Sequence, residues 1–313
     1  MREAEVHAAE PRDRLLLALD LLPELTGRAL TLTALSGGIT NRNFQVEAEG
    51  TSDRWVIRMP GNDTHLLGID RDAEHAATVA AATVGVGPVV IGYIRPEGYL
   101  VTRFIVGVPI AERAVHEPAT LRRIADSLRR VHDGPGIPGL FAPLEVVERY
   151  RTLAIERGVP VPPEYERAAV LARRIEPILL AAPTPPRPCH NDLLNANFID
   201  DGDRVRIIDW EYAGMGDPLF DLGNLSANHE LTADEDASLL EAYAGALDER
   251  QLARLTIMRV VSDFREAMWG VLQQGVSTLD IDFVGYAGSR FDRLLAMAAT
   301  ARFDRAMDEA ARS

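Results

Sequence analysis

His190, Asp192, Asn197 and Asp209 are the residues of this 313-residue chain whose types and spacing can do chemistry together. The first three stand in the run CHNDLLNANFI, and Asp209 closes the mostly apolar stretch 205–208 that follows. An aspartate, an asparagine and a second aspartate in this order suit phosphoryl transfer, where the protein supplies positioning and charge neutralisation rather than covalent chemistry. Mg²⁺ is a hard cation that takes one or two carboxylates plus phosphate oxygens. The Asp209 carboxylate and the Asn197 amide oxygen would serve it. Asp192 is then free to accept a hydrogen bond from an attacking hydroxyl and to take its proton, as a general base. His190 belongs with this catalytic group as the brace of its loop.

These side chains need a scaffold that brings them to one place. Asp201, Gly202 and Asp203 are turn residues between two short runs, which predicts a β-hairpin with strands at 196–200 and 204–208. Asn197 and Asp209 would then come from opposite strands and converge at one end. Asp and Asn also favour turns on their own account. The functional reading therefore rests on the combination with Asp209 and with the segment Trp210 to Asn224 that follows.

The strings CHNDLLNANFI and IIDWEYAGMGDPLFDLGNLS resemble the choline and ethanolamine kinase branch of the aminoglycoside phosphotransferase superfamily. The resemblance extends over most of the chain. LSGGITNRNFQVE (35–47) is similar to that family's phosphate-covering hairpin, and WVIRMPG (55–61) to its third strand. RDAEHAATVAAATVGVGPVV resembles its helix C and the following strand, and LVTRFIVG its hinge. EAMWGVLQQGVSTLDIDFVGYAGSRF resembles its C-terminal substrate segment. The resemblance implies a bilobal, protein-kinase-like α+β fold. An N-terminal antiparallel sheet lobe with one long helix would occupy 1–105, and a larger, mostly helical lobe would occupy 106–313.

Each segment also has a physical reading. Gly37 and Gly38 lack side chains, so backbone N–H groups in their turn can approach phosphate oxygens, and Asn41 and Asn43 would add amide donors. Residues 55–59 are rich in strand formers. Arg58 stands where the resemblance implies the cation that reaches the nucleotide phosphates, and Glu74, in a predicted helix from Asp70 to Thr83, is its expected ion-pair partner. Arginine binds as a planar fork where protein kinases use the point charge of lysine. Arg103 and Ile105, at the exit of a strand beginning at Tyr99, are the candidate backbone contacts for adenine.

The acceptor is read from charge and aromatics. The chain has 33 Lys+Arg against 47 Asp+Glu, a formal net charge of −14. That balance argues against nucleic acid and anionic membranes as partners, since both need basic patches, and it favours small cations. Trp269 and Tyr286 are the candidate faces for an ammonium group, with Asp282 as a nearby carboxylate. Two positions depart from the family: Glu266 stands where a second tryptophan is expected, and Asn228 where a substrate-contacting glutamate is expected. Asp221 matches a carboxylate that supports the catalytic-loop backbone.

The length suggests two lobes. Helical spacing recurs at 120–132, 145–157, 163–181, 234–246, 249–274 and 289–311, after a helix at 14–25. Cys189 is the only cysteine, so no internal disulfide can form. No apolar signal core or membrane-spanning run is present, and a cytoplasmic location is expected. The sequence leaves the oligomeric state open. It reads as an ATP- and Mg²⁺-dependent kinase acting on the hydroxyl of a cationic amino alcohol, choline or ethanolamine. The alternatives are an aminoglycoside-type antibiotic phosphotransferase and a catalytically silent nucleotide-binding protein of the same fold. The intact Asp192, Asn197 and Asp209 set argues against the silent protein.

Overall fold

The computed structural model describes residues 13–35, 38 and 40–312. Residues 13–20 form helix α1, which buries Leu15 and Leu19 and leaves Leu17 in solvent. The helix stops short of the predicted residue 25. Pro23 cannot donate a helical hydrogen bond, and the Asp20 carboxylate instead accepts the Gly27 N–H at 2.8 Å. There follow β1 (Leu30–Leu35), β2 (Asn41–Ala48), β3 (Arg54–Pro60), α2 (Arg71–Thr83), β4 (Val90–Ile94) and β5 (Tyr99–Arg103). The five strands form an antiparallel sheet in the order β1-β2-β3-β5-β4. One face of the sheet packs Val46, Trp55, Ile57 and Val101 against Leu15 and Leu19 of α1. Asp70 starts α2 by accepting the Asp72 and Ala73 N–H groups, the usual use of a short acidic side chain at a helix N-cap. The buried face of α2, Ala77 and Ala81, belongs to the core of the second lobe. This helix therefore ties the lobes together.

The chain then runs through β6 (Val108–Pro109), α3 (Glu112–Val115), α4 (Pro118–His132), α5 (Pro143–Glu156) and α6 (Glu164–Ala181). Four short strands follow, β7 (Arg187–Cys189), β8 (Phe198–Asp200), β9 (Val205–Ile207) and β10 (Gly214–Gly216). Five helices complete it: α7 (Pro218–Asn228), α8 (Ala233–Ala244), α9 (Glu249–Val276), α10 (Phe283–Ala298) and α11 (Ala301–Ala310). β6, β8 and β9 pair in one small sheet, β7 and β10 in another. From Ala253 to Gln273, α9 is buried on every side, so it is the central helix of the lobe and its charged residues must find partners inside. Among the described residues no helix is long and apolar enough to cross a membrane.

Two expectations are corrected. Asn197 lies in a 3₁₀ turn, Asn195–Asn197, just ahead of β8 and not within the first hairpin strand. The helix expected at 289–311 is two, beginning at Phe283 and interrupted before Ala301, because the Thr300 side chain accepts the Phe303 N–H and starts a new helix.

Candidate active site

The loop that leaves β7 is shaped by α7. Asp221, fully buried in the first turn of that helix, accepts the His190 N–H at 2.8 Å and the Asn191 N–H at 2.7 Å. It is also bonded to His132 Nε2 at 3.0 Å. Burial alone would raise its pKa, but the His132 bond and these donors outweigh it and hold the carboxyl below its usual range. One turn later Asn224 accepts the Leu193 N–H at 2.6 Å. Asn191 takes the left-handed conformation, φ 69°, which asparagine tolerates better than most residues, and its amide donates to the Tyr212 carbonyl at 3.0 Å. His190 donates Nε2–H to the Ile208 carbonyl at 2.9 Å and accepts the Asp192 N–H at Nδ1, 3.2 Å. Those bonds define a neutral tautomer, and burial lowers its pKa further. With both ring nitrogens engaged, His190 braces the loop and has no nitrogen left for proton exchange.

After His190 and Asn191 the next residue of the loop is Asp192. Burial, and then the negative charge of Glu266, push its carboxyl well above the usual range, while Arg265 pulls the other way. Asn197 donates its amide nitrogen to the Asp192 carbonyl at 2.9 Å, which leaves its amide oxygen as an acceptor. Asp209 follows β9 with φ 71°, and one of its oxygens is paired with Arg58 Nη1 at 2.7 Å. An amide oxygen and a carboxylate are ligand types that suit the hard-oxygen demand of Mg²⁺.

Arg58 Nη1 also pairs with Glu74 at 2.6 Å. The network continues through two residues that the sequence reading did not select. Arg71 Nη1 bridges Glu74 at 2.6 Å and Glu211 at 3.2 Å. Glu211 accepts the Thr40 hydroxyl at 2.5 Å and the Asn41 amide at 2.8 Å. Burial, reinforced by Asp209, pushes the Glu211 carboxyl up to about 7. The Asn41 amide donor, expected at phosphate, is here bonded to Glu211. Gly37 lies outside the described residues. Gly38 has φ +96°, and a Cβ there would come within 2.9 Å of the Asn41 carbonyl oxygen, so the position admits only glycine.

Between the lobes lies a cleft with a volume of about 210 Å³. Val56, Leu100, Ile105, Ile199 and Ile208 line its apolar part, and Asn43, Arg58 and Asp209 its polar end. At the hinge the Arg103 N–H is bonded to Val89 and the Phe104 N–H to Arg54. The Ile105 N–H has no backbone partner among the described residues. The Arg103 guanidinium pairs with Glu24.

On the other side of Asp192, α9 and α10 bring Trp269 and Tyr286 together, with ring centroids 5.6 Å apart and planes at 68°. Trp269 Nε1–H donates to the Tyr212 hydroxyl at 2.9 Å, and the Tyr286 hydroxyl to Glu266 at 2.7 Å. Burial would raise Glu266, but Arg265, Arg290 and the Tyr286 hydroxyl together hold it below its usual range. Asp282 does not join this cluster. It is exposed and caps α10, accepting the Gly285 N–H at 2.8 Å. The carboxylate beside the aromatic pair is Glu266. Asn228 is committed to the Leu193 carbonyl and to Arg290.

A model of the phosphotransferase enzyme family matches residues 31–256. The chain is 28% identical over 325 residues to ethanolamine kinase 1 of Mus musculus, with 88% of this chain and 86% of that protein covered. Against protein LicA of Haemophilus influenzae the identity is 26% over 267 residues, covering 82% and 76%. The structure of a choline/ethanolamine kinase family protein from Mesorhizobium loti is similar with a TM-score of 0.83 and 30% identity, over 96% of this chain and 99% of that one.

Proposed function

Because the chain belongs to the phosphotransferase enzyme family, in its choline and ethanolamine kinase branch, we propose that it phosphorylates the hydroxyl of choline or ethanolamine. ATP is the phosphoryl donor and Mg²⁺ the metal. The bilobal, protein-kinase-like fold and the class of small-molecule phosphotransferase are the premises, and the acceptor, the metal and the residue roles are the proposal. One observation carries it: Arg58 and Asp209, paired with each other and through Arg58 with Glu74, line the polar end of an apolar interlobe cleft.

Adenine enters the apolar part of the cleft, where the Arg103 and Ile105 backbone supplies the hinge contacts. Arg58 reaches the phosphates and Glu74 holds it in place. The Asn197 amide oxygen and the Asp209 carboxylate hold Mg²⁺, which when bound neutralises phosphate charge. Asp192 accepts the hydrogen bond of the acceptor hydroxyl and takes its proton as the oxygen–phosphorus bond forms. Trp269, Tyr286 and Glu266 receive the ammonium end, the aromatic faces through their quadrupoles and the carboxylate through its charge. The lobe boundary falls near residue 105.

The test is ADP release by purified protein with ATP and Mg²⁺ against a panel of choline, ethanolamine, other amino alcohols and aminoglycosides. Release stimulated by choline or ethanolamine is expected. Stimulation by aminoglycosides alone, or by no acceptor, would overturn the assignment.

A further inference from the structure

A kinase loop that reads HNDLLNAN has no basic residue of its own, yet the Asp192 carboxylate does not lack a cation. Arg265 comes to it from α9, with Nη1 at 3.9 Å from Asp192 Oδ1. The same Nη1 is hydrogen-bonded to Glu266. The guanidinium lies over the Tyr212 ring, 4.5 Å from its centroid, with Phe141 at 6.0 Å. Tyr212 is in turn held by Trp269 through its hydroxyl. Arg265 is only 1% exposed, and its Nε and Nη2 are buried without a hydrogen-bond partner.

A buried guanidinium with two idle donors is an expensive way to fill space. Desolvation of a charged group costs several kcal/mol, and an apolar side chain of similar volume would pack there at less cost. What the guanidinium does that an apolar group cannot is hold two carboxylates near one point. Without it, Asp192 and Glu266 would face each other as like charges in a desolvated site, and each would turn away or become neutral.

We propose that Arg265 is a positioning residue for phosphoryl transfer, fixing Asp192 toward the acceptor hydroxyl and tying it to Glu266 at the acceptor's cationic end. The inference rests on Asp192 as the base. It adds a source of alignment: one guanidinium sets the distance between the group that takes the proton and the group that receives the ammonium. An alcohol whose hydroxyl and amine are separated by a short chain spans that distance.

ADP release from ATP and Mg²⁺, with and without ethanolamine or choline, tests it in Arg265→Met and Arg265→Lys. Arg265→Met is expected to lose kcat by about a hundredfold, the cost of a misplaced reacting group, with KM for ATP unchanged. Lysine at the position is expected to recover part of the rate. A folded Arg265→Met protein that keeps its kcat overturns the proposal, as does a loss that lysine does not relieve. If Arg265→Met does not fold, Glu266→Gln supplies the second arm. That variant is expected to raise KM for the amino alcohol by about tenfold, the loss of one charge-assisted bond, and to lower kcat with it, because Arg265 loses the carboxylate that ties it. A raised KM with kcat unchanged would sever the proposed tie. If no acceptor stimulates the wild-type protein, the acceptor class fails on its own account, and Arg265 is still read from the acceptor-free rate with water as nucleophile.

Discussion

Asp221 sets the shape of the catalytic loop, since a single buried carboxylate receives two consecutive backbone N–H groups and the ring of His132. Asp221→Asn would aim an amide donor at one of those donors and remove the charge that His132 and the backbone share. A destabilisation of roughly 3–5 kcal/mol is expected, the range for breaking a buried charged pair, together with a lower kcat. Urea unfolding measures the first and ADP release the second. Asp192→Ala separates chemistry from shape: kcat should fall about 10²–10⁴-fold while the affinity for ATP holds, because the side chain faces the acceptor and not the nucleotide. Full turnover in that variant would move the base elsewhere. Asp192, Asn197 and Asp209 could be singled out as candidates in the sequence because a short stretch of chain fixes their spacing. Glu211, Arg71 and Arg265 were not, since each gains its role from a partner distant in sequence, as Thr40 and Asn41 are from Glu211. The Asn41–Glu211 bond was hidden for the same reason, its two partners lying far apart in sequence.

Helix α7 can direct the loop only because it lies hard against α9. The contact is made at Gly223, where a Cβ would stand 2.6 Å from Met258 Cβ and 2.8 Å from its carbonyl carbon. Neither backbone can yield without shifting Asp221 and Asn224. Gly223→Ala is therefore expected to destabilise by about 1–3 kcal/mol, as overpacking does, and to lower kcat with it. Gly288 is the control. A Cβ there meets nothing within 4 Å, and alanine in the body of α10 should stabilise by up to about 1 kcal/mol without touching activity. Equal melting temperatures for the two variants would refute the packing argument. Hydrophobic spacing alone located α4, α5, α6, α8 and α9 to within a few residues, because each has one side to bury or is buried throughout. It missed the break before Ala301, where apolar spacing continues through the junction and only the Thr300 cap divides the helices. It also placed Asn197 in a strand, since a single 3₁₀ turn has no period of its own.

Across the whole molecule, the lobes are joined first by α2, whose buried alanines pack in the core of the second lobe although the helix follows the first three strands of the sheet lobe. A second tie is polar, running from Thr40 and Asn41 on the sheet side through Glu211 to Arg71, Glu74 and Arg58, and on to Asp209. Two arginines thus face three carboxylates, and a nucleotide with its metal, bound as proposed, would compete for Arg58 and Asp209 while the lobes stay joined at Glu211. Glu211→Ala removes that joint and leaves Arg71 half-paired. Amide hydrogen exchange should quicken in β1 and β2, while α7 and α9, anchored in the larger core, keep their protection. ATP with Mg²⁺ at about a hundredfold over its Kd should return roughly 2.7 kcal/mol by mass action and slow the same amides. Chelating the metal should withdraw most of that gain if Asp209 and Asn197 hold it. Exchange that quickens uniformly over both lobes would mean that Glu211 supports general stability and that the coupling runs through α2 alone.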